Sequence, residues 1–145
     1  MENDRLKFVQ SFIGKPFTES PSPFARWLNG TVIKAEKDSV TFQFKVRNDM
    51  TNPVGMLHGG IIAAMIDDCM GVTFFVMGLE NFYPTINLYV DFFNPTSEGK
   101  TIYVRTQVVK HGKTIINMKA EVLSDRQKLL AQATSNLALS NVKIP

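Results

Sequence analysis

Residues 52–78, NPVGMLHGGIIAAMIDDCMGVTFFVMG, form the segment that decides the fold of this 145-residue chain. The run from His58 to Gly78 is almost entirely apolar and too long for a strand, so it predicts a helix. A run of this length also suits a membrane span. Two aspartates near its centre would each cost about 2.5–3.5 kcal/mol on insertion scales. We therefore predict a helix buried in protein, with no membrane span.

The two carboxylates, Asp67 and Asp68, are neighbours in the middle of this helix. Consecutive helical residues point about 100° apart, so the pair cannot form a shared dyad and at most one should face a given cleft. An unpaired carboxylate in apolar surroundings costs several kcal/mol or becomes protonated. Either one Asp caps or pairs locally while the other reaches solvent, or one of them has a functional role.

The helix start, at His58, Gly59 and Gly60, is the second notable feature. Free backbone N–H groups and the positive end of the helix dipole accumulate there. Glycine lets a ligand approach the backbone closely, so this start can build an oxyanion hole for acyl transfer. A pair of glycines can equally serve as a flexible beginning of a helix.

The segments on either side of the helix predict an antiparallel sheet. Upstream come a helix over 4–13, a loop over 14–30 that can include one helical turn, and a hairpin in which Val40, Phe42, Phe44 and Val46 alternate with polar residues. Four strands follow the helix, in YPTINLYVDFF, TIYVRTQVVK, TIINMKAEVLS and LLAQATSNLALS. This order predicts a single α+β domain over 1–145, in which the sheet wraps the long helix. Its core is residues 30–140, preceded by an N-terminal helix and loop over 1–29.

Composition narrows the functional classes. The net charge is +3, and the basic residues are scattered rather than clustered, so no nucleic-acid partner is expected. Cys69 is the single cysteine and the first residues include acids without a long apolar core, which predicts a cytoplasmic protein without a secretory signal. One cysteine and two histidines make a metal site implausible. Cys69 itself is expected to be a small buried hydrophobe.

Two stretches, NPVGMLHGGIIAAMID and PTINLYVDFFNPTSEGKTIYVRTQVVKHGKTIINMKAEV, resemble the hotdog-fold acyl-CoA thioesterases of the PaaI-like group. The resemblance covers about residues 30–140. It implies hydrolysis of an acyl-CoA thioester to a carboxylic acid and coenzyme A. No cofactor is implied, since coenzyme A is part of the substrate. The resemblance also implies a homodimer whose two subunits share each site, with a homotetramer as a pair of dimers.

The same resemblance implies roles for individual residues. The Gly59 N–H would polarise the thioester carbonyl, with Asn52 and His58 beside the carbonyl and the leaving thiol. Asp67 matches the carboxylate that activates water or attacks directly, and Thr85 lies near the same water. Asp68 matches no catalytic position and is expected to be structural.

Substrate contacts are expected from a second set of residues. Gly60 would let the thioester approach the helix start, and Arg105 or Lys113 would meet the phosphates of coenzyme A. The acyl pocket is expected to contain the aromatic residues Phe74, Phe75, Phe82 and Tyr83, which suits medium-chain or aryl acyl groups.

Two alternative functions remain open at this stage. A hotdog hydratase or dehydratase would need a histidine and a carboxylate working together, and His58 lies at the helix start rather than beside Asp67. A non-catalytic acyl-CoA binding or sensing protein would bind the same ligands without releasing thiol.

Overall fold

A computed structural model describes residues 3–145. Within this range the three α-helices are α1 (Asp4–Gln10), α2 (Pro23–Leu28) and α3 (Gly59–Val76), and Asn48–Met50 forms a short 3-10 helix. The strands are β1 (Thr31–Glu36), β2 (Ser39–Lys45), β3 (Thr85–Phe92), β4 (Thr101–His111), β5 (Ile115–Ser124) and β6 (Leu129–Ala138). All six strands form one sheet in the order β1-β2-β4-β5-β6-β3, and every neighbouring pair is antiparallel. The predicted α+β architecture, a long helix packed on an antiparallel sheet, is confirmed.

Apolar and polar side chains alternate along β2, and the apolar ones form part of the sheet's inner face. Val40, Phe42, Phe44 and Val46 are all buried, as their period of two predicts. The buried residues Ile102, Val104, Ile116 and Met118 continue this face across β4 and β5. The long helix therefore has a continuous apolar surface to pack on.

Helix α3 lies on that inner face and contacts β2, β3, β4 and β5. Its residues Ile62, Met65, Ile66, Cys69 and Met70 are buried. The Thr73 hydroxyl bonds to the Cys69 carbonyl and to the hydroxyl of Thr106 on β4, which ties the helix to the sheet through a satisfied polar contact.

By length and composition alone, α3 could cross a membrane, and half of it is buried inside the protein. The sheet that covers this half makes α3 a core helix, in agreement with the predicted burial. The observed helix begins at Gly59 and ends at Val76, slightly inside the predicted range of 58–78.

The N-terminal segment differs from the prediction in its details. Helix α1 ends at Gln10, before the predicted end at residue 13. The loop that follows contains α2, where Pro23 occupies the first turn and the Ser22 hydroxyl caps the helix by accepting from the Ala25 N–H at 3.2 Å. Rings of Phe8, Phe12 and Phe17 pack together and continue onto Phe42, which anchors this segment to the sheet.

Candidate active site

His58 caps the start of α3. Its Nδ1 accepts a hydrogen bond from the Gly60 N–H at 2.9 Å, and its carbonyl accepts from the N–H groups of Ile61 and Ile62. A Cβ at residue 60 would lie 3.0 Å from that Nδ1, so glycine at this position leaves room for the ring. Because Nδ1 is the acceptor, Nε2 carries the proton of the neutral ring and is the nitrogen that can donate to a ligand.

Gly59 presents the first backbone N–H of α3. Within residues 3–145 this N–H has no hydrogen-bond partner. The ring of Phe92 on β3 lies beside it, 3.5 Å from where a Cβ would stand. An unpaired N–H at the positive end of a helix dipole suits a developing negative charge on a carbonyl oxygen.

Asn52 shapes the loop that leads to the helix start. Its Oδ1 accepts from the N–H groups of Val54 at 3.1 Å and Met56 at 3.0 Å, and its own N–H donates to the Met56 carbonyl at 2.7 Å. This is an Asx-type turn. The side-chain oxygen is therefore occupied by the loop, and the amide NH₂ is the group left for a ligand.

The cap predicts a measurable effect on stability. We expect His58→Ala to lower the free energy of unfolding by about 0.5–2 kcal/mol, because a backbone N–H of α3 loses its acceptor. His58→Asn should recover most of this loss, since asparagine is a favoured N-cap residue. Urea unfolding followed by circular dichroism measures both effects. Equal unfolding midpoints for wild type and His58→Ala would show that the cap adds nothing.

A cavity of about 410 Å³ lies along α3, further from its start. Asp67, Asp68 and Thr85 line it, among mainly apolar neighbours. The expectation that at most one aspartate faces a given cleft is therefore wrong. The cavity lies along the outward side of the helix, where Asp67 and Gly71 are exposed and Asp68 is partly buried, and this side is wide enough to include two directions 100° apart.

Both carboxylates lack a partner in the described chain. Neither Asp67 nor Asp68 makes a hydrogen bond or an ion pair with any other residue of the range 3–145. Burial raises the pKa of Asp67 above its ordinary value. Burial, and then the negative charge of Asp67, raise the pKa of Asp68 to about 6. Desolvation without a counter-ion makes each group a better proton acceptor than a free carboxylate.

The raised pKa of Asp68 implies a stability cost at neutral pH. We expect Asp68→Asn to raise the free energy of unfolding by about 1–2 kcal/mol there, after discounting for partial exposure. The Asp68 carboxylate has a pKa of about 6 in the folded wild type and an ordinary pKa of 3.8 in the unfolded chain. The wild type therefore gains stability as pH falls through this window, and the advantage of the variant should disappear by its lower end.

Urea unfolding across this pH range measures the effect, with Asp67→Asn as the comparison. An advantage that does not change with pH, or a variant less stable than wild type at neutral pH, would contradict this account.

Thr85 reaches the cavity because of a β-bulge. The pairing of β3 with β6 passes from Thr85↔Leu137 to Asn87↔Asn136, so Ile86 is an extra residue. Bulges of this kind redirect side chains, often beside active sites. Thr85 thus lines the same cavity as Asp67, as expected from the sequence.

The expected aromatic pocket residues also meet here. Phe74, Phe75, Phe82 and Tyr83 all line the cavity. The Phe74 ring lies 6.1 Å from that of Phe82 and 5.7 Å from that of Tyr83. These residues give the cavity an apolar wall next to its carboxylates.

The two basic residues expected to meet the phosphates of coenzyme A do not line the cavity. Arg105 is on β4, between the buried Val104 and Thr106, so it points away from α3 and pairs with Glu121 at 3.0 Å. It does not line the cavity. Lys113 is exposed in the turn between β4 and β5. Strand β4 ends at His111, and the His111 ring lies 6.4 Å from the ring of Tyr83.

The candidate residues of one chain therefore form two groups. Asn52, His58, Gly59 and Gly60 surround the helix start and do not line the cavity that contains Asp67 and Thr85. Eight helical residues separate Gly59 from Asp67, which corresponds to about 12 Å along the axis. Neither group by itself supplies both a proton acceptor and an oxyanion donor.

Comparison with known proteins agrees with this architecture. Residues 54–131, from the loop before α3 to the start of β6, match the family described as the thioesterase superfamily. Human acyl-coenzyme A thioesterase 13 is 27% identical over 114 residues, which are 77% of this chain and 80% of that protein.

Solved structures share the fold at lower identity. The E. coli PaaI protein of the phenylacetic acid degradation operon superposes with a TM-score of 0.84 at 17% identity, covering 99% of both chains. A Streptococcus mutans protein bound to acetyl CoA superposes with a TM-score of 0.73 at 20% identity, covering 80% of this chain and 92% of that one. The sheet and its central helix thus have the hotdog arrangement.

Proposed function

Because the chain belongs to the thioesterase superfamily, we propose that it hydrolyses acyl-coenzyme A thioesters to a carboxylic acid and free coenzyme A. The observation that carries this proposal is the cavity that contains Asp67. A carboxylate without a partner faces an apolar space that suits an acyl group, beside the Thr85 hydroxyl. The curated human relative, an acyl-coenzyme A thioesterase by name, supports this choice of thioester.

The reaction needs a proton acceptor or nucleophile and a donor aimed at the developing oxyanion. In the proposed reaction Asp67 takes a proton from the attacking water, or attacks the carbonyl carbon itself, with Thr85 positioning the water. The Gly59 N–H donates to the carbonyl oxygen, a contact of a kind that contributes about 10²–10³-fold to turnover. The C–S bond then breaks, and the coenzyme A thiolate leaves and takes up a proton. Where Asp67 attacks directly, the water held by Thr85 then hydrolyses the acyl–Asp67 anhydride, which releases the carboxylic acid and restores the carboxylate. No cofactor is required.

A complete site requires a second copy of the chain. The Gly59 N–H and the Asp67 carboxylate would both need to reach one thioester carbonyl and its attacking water, which lie within about 3–3.5 Å of each other. The 12 Å along α3 is too long for one Asp side chain to bridge. In a homodimer with antiparallel α3 helices, Gly59 of one copy lies near Asp67 of the other.

The edge strand β3 supports such a dimer. It ends the sheet and carries exposed apolar side chains, of which Ile86, Tyr89 and Phe92 are each more than half exposed. Long apolar edge strands readily pair with another chain. Pairing of two β3 edges would bury these side chains and bring the helix starts, beside Phe92, to the interface. A pair of such dimers would give the proposed tetramer.

Purified protein tests the function directly. We expect release of free thiol from acyl-CoAs, assayed across short, medium, long and aromatic acyl groups with a thiol reagent. Binding of acyl-CoA without thiol release would favour a sensing role. Hydration of enoyl-CoA, seen as loss of its conjugated absorbance without free thiol, would favour a hydratase.

A further inference from the structure

The cavity beside Asp67 extends towards the C-terminus of α3. Gly71, Val72 and Phe75 follow Asp67 along its lining. Phe75 is eight residues beyond Asp67, which corresponds to about 12 Å along the helix axis. An acyl group whose carbonyl lies at Asp67 would therefore extend along this part of the helix.

The C-terminal segment of the chain, residues 140–144, reaches the far end of the cavity through one residue. Ile144 lines the cavity. Its backbone N–H donates to the carbonyl of Glu80 at 2.9 Å, and the Phe82 N–H donates to the carbonyl of Val142 at 2.7 Å. Because Glu80 comes four residues after the end of α3, these bonds place Ile144 at that end of the helix.

This C-terminal segment lies outside the six strands of the sheet. Its other contacts include a hydrogen bond from the Lys143 Nζ to the Asn81 Oδ1 at 2.7 Å, between exposed side chains. The family match ends at residue 131, so residues 140–144 also lie outside the part of the chain that defines the superfamily. The far wall can therefore differ between relatives while the sheet and α3 stay the same.

We infer that Ile144 sets the upper limit on the length of the acyl group, as the stop at the end of the acyl cavity. This inference deepens the proposed function and rests on it. A zigzag chain of 1.52 Å bonds advances about 1.25 Å per carbon, so 12 Å holds about eight to ten carbons. The preferred substrates are thus medium-chain acyl-CoAs, and longer chains meet the Ile144 side chain.

Substitutions at residue 144 test the inference in both directions. Ile144→Gly should open the far end, and Ile144→Trp should shorten the cavity. Val142→Gly and Val142→Trp are matched controls, because Val142 belongs to the same segment but is 60% exposed and does not line the cavity. If the substitutions only loosened the C-terminal segment, they could not lengthen the preferred acyl group in Ile144→Gly and shorten it in Ile144→Trp.

Two readouts separate binding from hydrolysis. The first is titration calorimetry with S-alkyl coenzyme A thioethers of increasing length, which cannot be hydrolysed. The second is kcat/KM for the corresponding straight-chain acyl-CoAs. Ile144→Gly should bind a thioether two carbons longer than the wild-type optimum about tenfold more tightly than wild type does, because two further methylenes are buried. Ile144→Trp should lose affinity for the wild-type optimum, and the Val142 variants should match wild type.

The outcomes distinguish the two proposals. An unchanged length preference in both Ile144 variants, or an equal shift in the Val142 variants, would overturn the role of Ile144. Thioethers that bind with the expected length limit, without thiol release from any acyl-CoA, would support that role and reject the proposed hydrolysis. Failure of every thioether to bind would overturn the inference as well.

Discussion

Asp67→Asn should lower turnover by about 10²–10⁴-fold, the usual scale for losing a positioned base. The amide has nearly the same shape as the carboxylate but cannot accept a proton from water or attack a carbonyl. The lining of the cavity stays the same, so KM should change much less than kcat. Steady-state hydrolysis of a medium-chain acyl-CoA measures both constants.

Asp68→Asn is the matched control, because it removes a carboxylate from the same cavity. Asp68 points about 100° away from Asp67, towards the other flank of the helix. We expect this variant to keep most of the wild-type turnover, with circular dichroism confirming that both variants are folded. Equal losses in the two folded variants would remove the assignment of Asp67 as the base or nucleophile.

The parts of the fold that local pattern determines were predictable. The apolar length of residues 59–76 and the strict alternation of Val40, Phe42, Phe44 and Val46 each depend only on neighbours in sequence. Their periods of 3.6 and 2 distinguish helix from strand. The ends were less certain, since α1 ends three residues before its predicted end. The short helix α2 is the helical turn that the loop over 14–30 was expected to allow.

The candidate site was predictable only in part. Asp67, Thr85 and the aromatic side chains meet in one cavity, as expected. The capping role of His58 was missed because the usual N-cap residues are serine, threonine, aspartate and asparagine. The presence of Asp68 in the same cavity was missed, because the geometry of one helix cannot reveal how wide a cavity will be; its non-catalytic role stays a prediction.

Contacts between distant segments explain the remaining misses. Ile144 and Phe17 reach the cavity from the two ends of the chain, through a terminal segment beside Glu80 and an aromatic cluster on Phe42. No periodicity joins residues so far apart. Arg105 lies on the outer face because its neighbours Val104 and Thr106 on β4 are buried. Its expected contact with the phosphates of coenzyme A, which was based on charge alone, stays a prediction.

Mixing two inactive variants should restore activity if each site is shared between subunits. One parent is Asp67→Asn, which damages the cavity side of both sites in its homodimer. The other carries Asn52→Ala and His58→Ala, which damage the helix start of both sites. A heterodimer would contain one site with both defects and one site with none, because each site takes its helix start from one chain and its carboxylate from the other.

Random exchange gives about half heterodimers, each with one intact site of two, so roughly a quarter of wild-type activity should return. Exchange is verified with chains that carry different affinity tags, and each parent incubated alone is the control. The loss of the His58 cap lowers stability, so His58→Asn in place of His58→Ala provides a second version of that parent in which the helix start stays capped. If exchange is complete and activity does not exceed that of either parent, the two halves do not come from different subunits. The site would then lie within one chain. Because Gly59 is about 12 Å from Asp67 along α3, the thioester carbonyl would not lie at the helix start.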